Sequence, residues 1–244
     1  MEPSLDTPNA TSHTADFEFD ALNEARNYRE ALLAEFRPYL HGHVVEIGAG
    51  IGQFSEAIRV FPEVESLVAV EPEPRFCRQY RELHPDAALV EGIIDDLPPG
   101  PDRDAVLSVN VLEHIREDAA ELVKYQRLLA VRGGHLCLFV PARPEIYAPI
   151  DADFGHFRRY VREDLGEMLR QAGFEVVSLH YFNCVGYLAW WLYFCALKKR
   201  HFTIPSVRFF DQVIFPVVHG VESRLLRPPI GQSLIAVARA IVPK

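Results

Sequence analysis

Short apolar runs alternate along the chain with segments whose apolar residues recur at helical spacing, and the alternation predicts strands and helices in turn. The runs cover residues 44–47, 66–71, 87–90, 104–109, 135–140, 174–181 and 233–240. Between them, helices are predicted over 53–59, from Pro72 through 83, over 117–131 and over 162–172, the last closed by Gly173. Ahead of the first run, Leu22, Ala25, Tyr28, Ala31, Leu32, Phe36 and Leu40 place an amphipathic helix over 17–40. Strands alternating with helices indicate an α/β fold with a doubly wound, mostly parallel sheet.

The first run passes into Gly48-Ala49-Gly50-Ile51-Gly52 and then into a helix, the strand-to-helix turn at which nucleotide-like ligands bind. Glycine there takes dihedrals closed to other residues and lets a ligand approach the main chain. The dinucleotide pattern G-x-G-x-x-G would need a glycine at position 53, which is Gln53, so a pyrophosphate site is disfavoured. Glu46, on the strand two residues before Gly48, would repel phosphate and accept hydrogen bonds from a cationic or amine donor. Glu71 ends the second run 23 residues beyond Gly48, the offset at which a doubly wound fold puts a carboxylate on ribose hydroxyls, and Pro72 follows it. A tight turn of some other α/β protein and a nicotinamide-dependent oxidoreductase remain open at this point.

The stretch from Glu46 to Gly52 resembles motif I of the class I S-adenosylmethionine-dependent methyltransferases. The resemblance implies a seven-stranded sheet, six strands parallel and the last antiparallel. It implies a glycine loop beside the methionine part of the cofactor, Glu46 at its amino group, and Tyr28 with Arg29 at its carboxylate. Gly92-Ile93-Ile94-Asp95-Asp96-Leu97-Pro98 resembles the adenine-lining motif, but Ile93 stands where the family often has an acid. Adenine recognition is therefore expected from Asp95 and the backbone near Ile94, with Ile93 packing on the ring. Asn110-Val111-Leu112-Glu113-His114 resembles motif IV, which flanks the transferred methyl group. His114 is a candidate general base there, or a structural histidine bonding a backbone carbonyl. Asp151-x-x-x-x-His156-x-Arg158-Arg159-Tyr160, followed by Leu-x-x-x-Leu-x-x-Ala-Gly-Phe, resembles a subgroup acting on small molecules, often sugar- or lipid-linked. His156 is the second candidate base. The loop from 141 to 160 is expected to have no part in holding the sheet; alternatively His156 satisfies a turn and Arg158 and Arg159 pair with Asp151 and Asp153. The resemblance covers about residues 20–183 and the last strand.

With 244 residues, 49% of them apolar, the chain can bury one large core. We expect a disordered leader over 1–16 and one methyltransferase domain over 17–244, with 184–229 as an insert before the last strand. The four cysteines lack C-x-x-C spacing and no signal peptide is visible, which points to free thiols in a reducing, cytoplasmic setting. No His/Cys/Asp cluster at ligand spacing is visible, so no metal is expected. The net charge of −9 is uneven: residues 184–244 hold eight Lys or Arg against two acids, a net +6, leaving −15 before them. Overall acidity and the lack of a basic recognition motif disfavour nucleic acid as acceptor. The insert opens with a nearly uncharged run over 182–197 containing both tryptophans, too short for the ~20 residues that cross a bilayer. It is expected to form a lid over an apolar acceptor, its bases suiting an anionic headgroup or bilayer surface; packing on the sheet or a homodimer interface competes. A protein that binds the cofactor without transferring methyl is the alternative in function.

Overall fold

In the computed structural model, residues 24–199, 203–225 and 228–242 are described. The expected leader and the first residues of the helix over 17–40 lie outside them. Seven strands form one sheet: β1 (Gly42–Ile47), β2 (Val64–Glu71), β3 (Ala88–Glu91), β4 (Ala105–Val109), β5 (His135–Pro141), β6 (Phe174–Phe182) and β7 (Ser233–Ala240). Their order is β3-β2-β1-β4-β5-β7-β6. Pairings within β1 to β5 are parallel, and β7 runs antiparallel to both β5 and β6. The order reverses at β1 and β4, so a crevice opens at their carboxyl ends, where ligands bind in such sheets.

Successive residues of one strand feed cores on opposite faces, which is why the runs are continuously apolar. Val45, Val106, Leu136 and Ala236 pack with Leu122, Tyr125 and Leu129 of α4 (Asp118–Leu129) and Leu165 and Leu169 of α6 (Arg162–Gln171). Val44, Leu107, Cys137 and Ile235 pack on the other face with Leu32, Leu33 and Phe36 of α1 (Arg26–Phe36) and Ile58 of α2 (Gln53–Ile58). Between β2 and β3, α3 (Pro74–Leu83) begins with Pro74 behind the capping side chain of Glu73.

Two regions depart from expectation. The stretch after β5 contains α5 (Pro149–Asp153) and does hold the sheet: Tyr160 bridges Ala142 at the end of β5, and its hydroxyl donates to the buried Asp118 of α4 at 2.9 Å. Arg159 pairs with Asp151 as one reading had it, but Arg158 pairs with Asp118 at 2.6 Å, because the chain turns back along α4. The described residues of the insert form three helices: α7 (Cys184–Trp190), running on in a π-helical turn to Ala196, α8 (Ile204–Phe209), and α9 (Phe215–Leu225). Trp190 and Phe194 join Ile146, Ala148 and Ile150 in a small core of their own.

Candidate active site

At the carboxyl end of β1, Gly48, Gly50 and Gly52 all have positive φ, of 71°, 56° and 92°. An added Cβ on Gly48 would stand 2.3 Å from the Val111 side chain, so this glycine is required both by its dihedral and by close packing on the turn after β4. Glu71 closes the loop from β2: one carboxylate oxygen accepts from the Gly50 N–H at 2.8 Å and the other from the Glu73 N–H at 2.9 Å. Burial raises the Glu71 carboxyl, against the two N–H bonds. Glu46 lies behind the loop, 3% exposed, accepting from the Ser55 hydroxyl, which accepts in turn from Tyr80 at 3.0 Å. Burial, with Glu71 adding to it, pushes Glu46 up to about 8 against the Ser55 bond. A buried carboxyl group behind a left-handed glycine loop gains from a cationic amine and has little for a phosphate.

The other expected cofactor residues are spread along the same edge. Ala49 is buried against Tyr80, Pro72 follows Glu71 at the surface, and Ile94 is buried in the first core. Asp95 pairs with Lys124 of α4, and Ile93 is exposed, its N–H donating to Asp96. Asn110, the residue after β4, has φ of 51°, a dihedral that costs energy in a non-glycine residue and is common at functional sites. Tyr28 lines the cavity beside Asn110: it stands edge-on to Phe139 and Phe182, and its hydroxyl bonds the Ser233 and Asn183 side chains. Burial raises its phenol well above the usual value. Arg29 of α1 donates to the side chain of Gln53, the residue that follows the loop, at 3.3 Å.

Beyond Asn110, between the sheet edge and the insert, is a cavity of about 460 Å³. Phe139, Phe154, Trp190, Tyr193, Phe194 and Phe210 give it aromatic walls, and Tyr28, Asn110, His156, Arg159, Asn183, Gln232 and Ser233 supply its polar groups. His156 is 8% exposed, its Nδ1 3.1 Å from Asp151. Asp151 also takes bonds from Arg159 Nε and the Ala148 N–H, both at 2.8 Å. Burial pushes the Asp151 carboxyl up, but the His156 and Arg159 contacts outweigh it and hold it below the usual range. His114 packs edge-on to His156 at 4.7 Å but is not part of the cavity wall. Burial and His156 together lower it to about 4, against its bond with the Gly155 backbone. The two candidate bases are thus neighbours, with His156 alone facing the cavity.

Several residues here carry no sequence signal. Asp211, buried in the turn between α8 and α9, accepts from the Asn27 and Tyr28 N–H groups at 3.1 and 2.9 Å and so ties the insert to the start of α1. Asn183, at φ 62°, accepts from the Gly186 N–H to start α7 and donates to Gln232 at 3.0 Å. The spacing also hid a cluster: Glu113, His114 and His156 offer ligand atoms within 4.8 Å of one another, a group able to hold a metal ion. Folding the loop onto the turn after β4 brings them together. The paired tryptophans differ: Trp190 is buried, donating to the Ile146 carbonyl at 3.1 Å, whereas Trp191 is half exposed.

A family model described as "Methyltransferase domain" matches residues 21–179, about two-thirds of the chain and ending before the insert. No curated protein matches significantly. Among solved structures, a chain of the complex between the Haloferax volcanii Trm112 methyltransferase activator and a methyltransferase has a TM-score of 0.63 at 17% identity, over 96% of this chain and 99% of that one. An S-adenosylmethionine-dependent methyltransferase from Mesorhizobium loti gives 0.58 at 16%, over 86% and 96%. Phosphoethanolamine N-methyltransferase 2 of Haemonchus contortus, solved with S-adenosyl-L-methionine, gives 0.58 at 16%, over 89% of this chain and 53% of that one. The family match decides against the nicotinamide alternative. The glycine turn, the Glu71 clasp and the buried Glu46 fit a cofactor with an amine, a ribose and no phosphate, and the chain belongs to the class I S-adenosylmethionine-dependent methyltransferases.

Proposed function

We propose that this enzyme methylates an oxygen of an apolar, lipid-like or lipid-linked acceptor held in the cavity under α7–α9. The observation that carries the reading is the cavity itself: about 460 Å³ of largely aromatic wall adjoining Asn110, at the edge that the glycine loop also faces. S-adenosylmethionine, when bound, supplies a methyl group already activated on a sulfonium. The protein's task is then alignment and, for a hydroxyl, removal of its proton. Glu71, Glu46, the glycine loop and Arg29 hold the cofactor, with Asn110 at the boundary between the two ligands. An ionised Asp151 can only accept, so His156 carries its proton on Nδ1 and turns Nε2 away from Asp151. The acceptor's reacting oxygen belongs at this corner.

The insert carries the acceptor's physical setting. Leu188, Trp191, Leu197, Phe209, Val213 and Val217 are exposed on its helices, next to the exposed Lys198 and Lys199. No helix among the described residues is long and apolar enough to cross a membrane. An apolar face edged with bases suits the surface of an anionic bilayer, where each base contributes about 1 kcal/mol. The enzyme meets its acceptor there, with the cavity mouth at Leu192 and Tyr193 toward the lipid.

The experiment is transfer of labelled methyl from S-adenosylmethionine into lipid and aqueous extracts of the source cells. Label in the organic phase is expected; label confined to aqueous metabolites, protein or RNA contradicts the acceptor class. Flotation with anionic vesicles tests the setting separately: salt-sensitive binding should vanish in Trp191→Ala with Val217→Asp. Failure of the unaltered protein to float, with a dimer that these changes dissociate, would make the face a subunit interface.

A further inference from the structure

Behind the corner at His156 lies a buried group that alignment alone does not require. Glu113, fully buried, sits in the turn Leu112–His114, and its carbonyl accepts from the Phe157 N–H at 2.8 Å, which clamps the His156 loop onto that turn. His156 Nε2 stands 4.0 Å from Glu113 Oε1, and the ligand atoms of Glu113, His114 and His156 all lie within 4.8 Å of one another. Three evenly spaced ligands each ~2.1 Å from one ion stand at most ~3.6 Å apart, so closure by up to about 1.2 Å would bring all three onto a common centre.

Three features suit coordination. Asp151 holds His156 through Nδ1 and is itself held by Arg159 and Ala148, the carboxylate–histidine support that orients metal-binding imidazoles. His114 packs edge-on to His156 at 4.7 Å, which keeps its ring in the cluster. A fully buried carboxyl group beside two imidazoles is a donor set that a divalent cation can use.

We propose that Glu113, His114 and His156 bind a first-row divalent cation, and that the acceptor's oxygen takes one of its remaining coordination positions. Two imidazoles and one carboxylate suit Mn²⁺, Fe²⁺ or Zn²⁺ better than Mg²⁺, which prefers oxygen ligands. The cation lowers the pKa of the acceptor hydroxyl, whose proton passes to solvent. The O–CH₃ bond then forms as the S–CH₃ bond breaks, and its electron pair returns to sulfur to give a neutral thioether. The inference rests on the reading of this corner as the acceptor's reaction centre, but cation binding is measured without acceptor, so the two can fail independently.

The test is titration of chelator-stripped, full-length protein with Mn²⁺, followed by pulsed electron paramagnetic resonance. About one Mn²⁺ per chain should bind with nitrogen couplings from imidazole, and Asp151→Asn should weaken it about 10–100-fold through the lost support. Glu113→Gln should weaken it at least as much. His180→Asn, a buried histidine of β6 remote from the cluster in sequence and bonded to Ser178, should leave it unchanged. No binding of Mn²⁺ or Zn²⁺ up to millimolar concentration, or a bound ion without nitrogen coupling, overturns the proposal. Should a variant fail to fold, the nitrogen coupling in the unaltered protein decides alone. Full methyl transfer by metal-free protein would also overturn it, leaving His156 as a simple base.

Discussion

The two halves of the ligand edge are built from different kinds of contact. On the cofactor half, the bonds that shape the site join residues close in sequence: Gly50 to Glu71, Glu46 to Ser55, Ser55 to Tyr80. On the acceptor half the Asp151 contacts with His156 and Arg159 are local, but the bonds that bring its walls together join distant segments: Asn27 and Tyr28 to Asp211, Asn183 to Gln232, Trp190 to Ile146, His156 to the turn holding Glu113. The first half is one supersecondary unit that needs few partners beyond the sheet. The second exists only when the insert, the loop after β5 and the start of α1 have all docked, so cofactor binding and acceptor binding should be separable by mutation.

The sharpest separation is expected from His156→Ala, which should lower turnover by about 10²–10⁴ while affinity for S-adenosylhomocysteine stays nearly intact. Parallel rate assays and calorimetry check this, and unchanged turnover would remove the histidine from the chemistry. The reverse separation comes from Gly48→Ala. A left-handed dihedral costs a non-glycine residue about 1–2 kcal/mol, and the new Cβ must also displace Val111. Cofactor affinity should fall at least tenfold while the aromatic cavity persists, read by calorimetry and by quenching of Trp190 fluorescence with an apolar ligand.

Asp211→Ala should act on the acceptor half alone. Losing its hydrogen bonds to the start of α1 costs about 1–3 kcal/mol, seen as a lower melting temperature and a raised KM for the acceptor, with cofactor affinity unchanged. An equal loss of cofactor affinity would mean that the halves are not separable.

The smallest effect is one of protons. Glu46 has its usual value of 4.5 in the unfolded chain and about 8 in the fold, so the folded state binds the extra proton between those values. Its contribution to stability is therefore complete in acid and is lost as pH rises from 4.5 through about 8. A ligand ammonium beside Glu46 restores its charge, so binding at pH 6 should release about one proton. Calorimetry in buffers of different ionisation enthalpy measures it; Glu46→Gln should abolish the release, and its persistence in that variant would place the proton elsewhere.

The same division governs what could be read from the residues. The continuous apolar runs gave the strands, including β7 from 233 to 240, because a sheet buried on both faces leaves a two-sided apolar signature. The glycine loop was legible because its dihedrals exclude other residues. Tyr28 was assigned to the cofactor by resemblance; its packing on Phe139 and Phe182 in the wall of the aromatic cavity carried no sequence signal, since it depends on where α1 meets the insert. Asp211, Asn183 and Gln232 gave no warning: a single polar residue inside an apolar segment does not say which distant backbone it will satisfy. Composition identified the insert as apolar and basic but could not divide it, and Trp190 inside beside Trp191 outside is the plainest example.

The most direct test of this two-sided site is a crystal structure with S-adenosylhomocysteine. The account predicts ribose hydroxyls at Glu71, the amino group toward Glu46, and the sulfur at Asn110 facing an open aromatic cavity with His156 on its wall. A ligand that instead fills the aromatic cavity, or a sulfur turned away from it, would contradict the account.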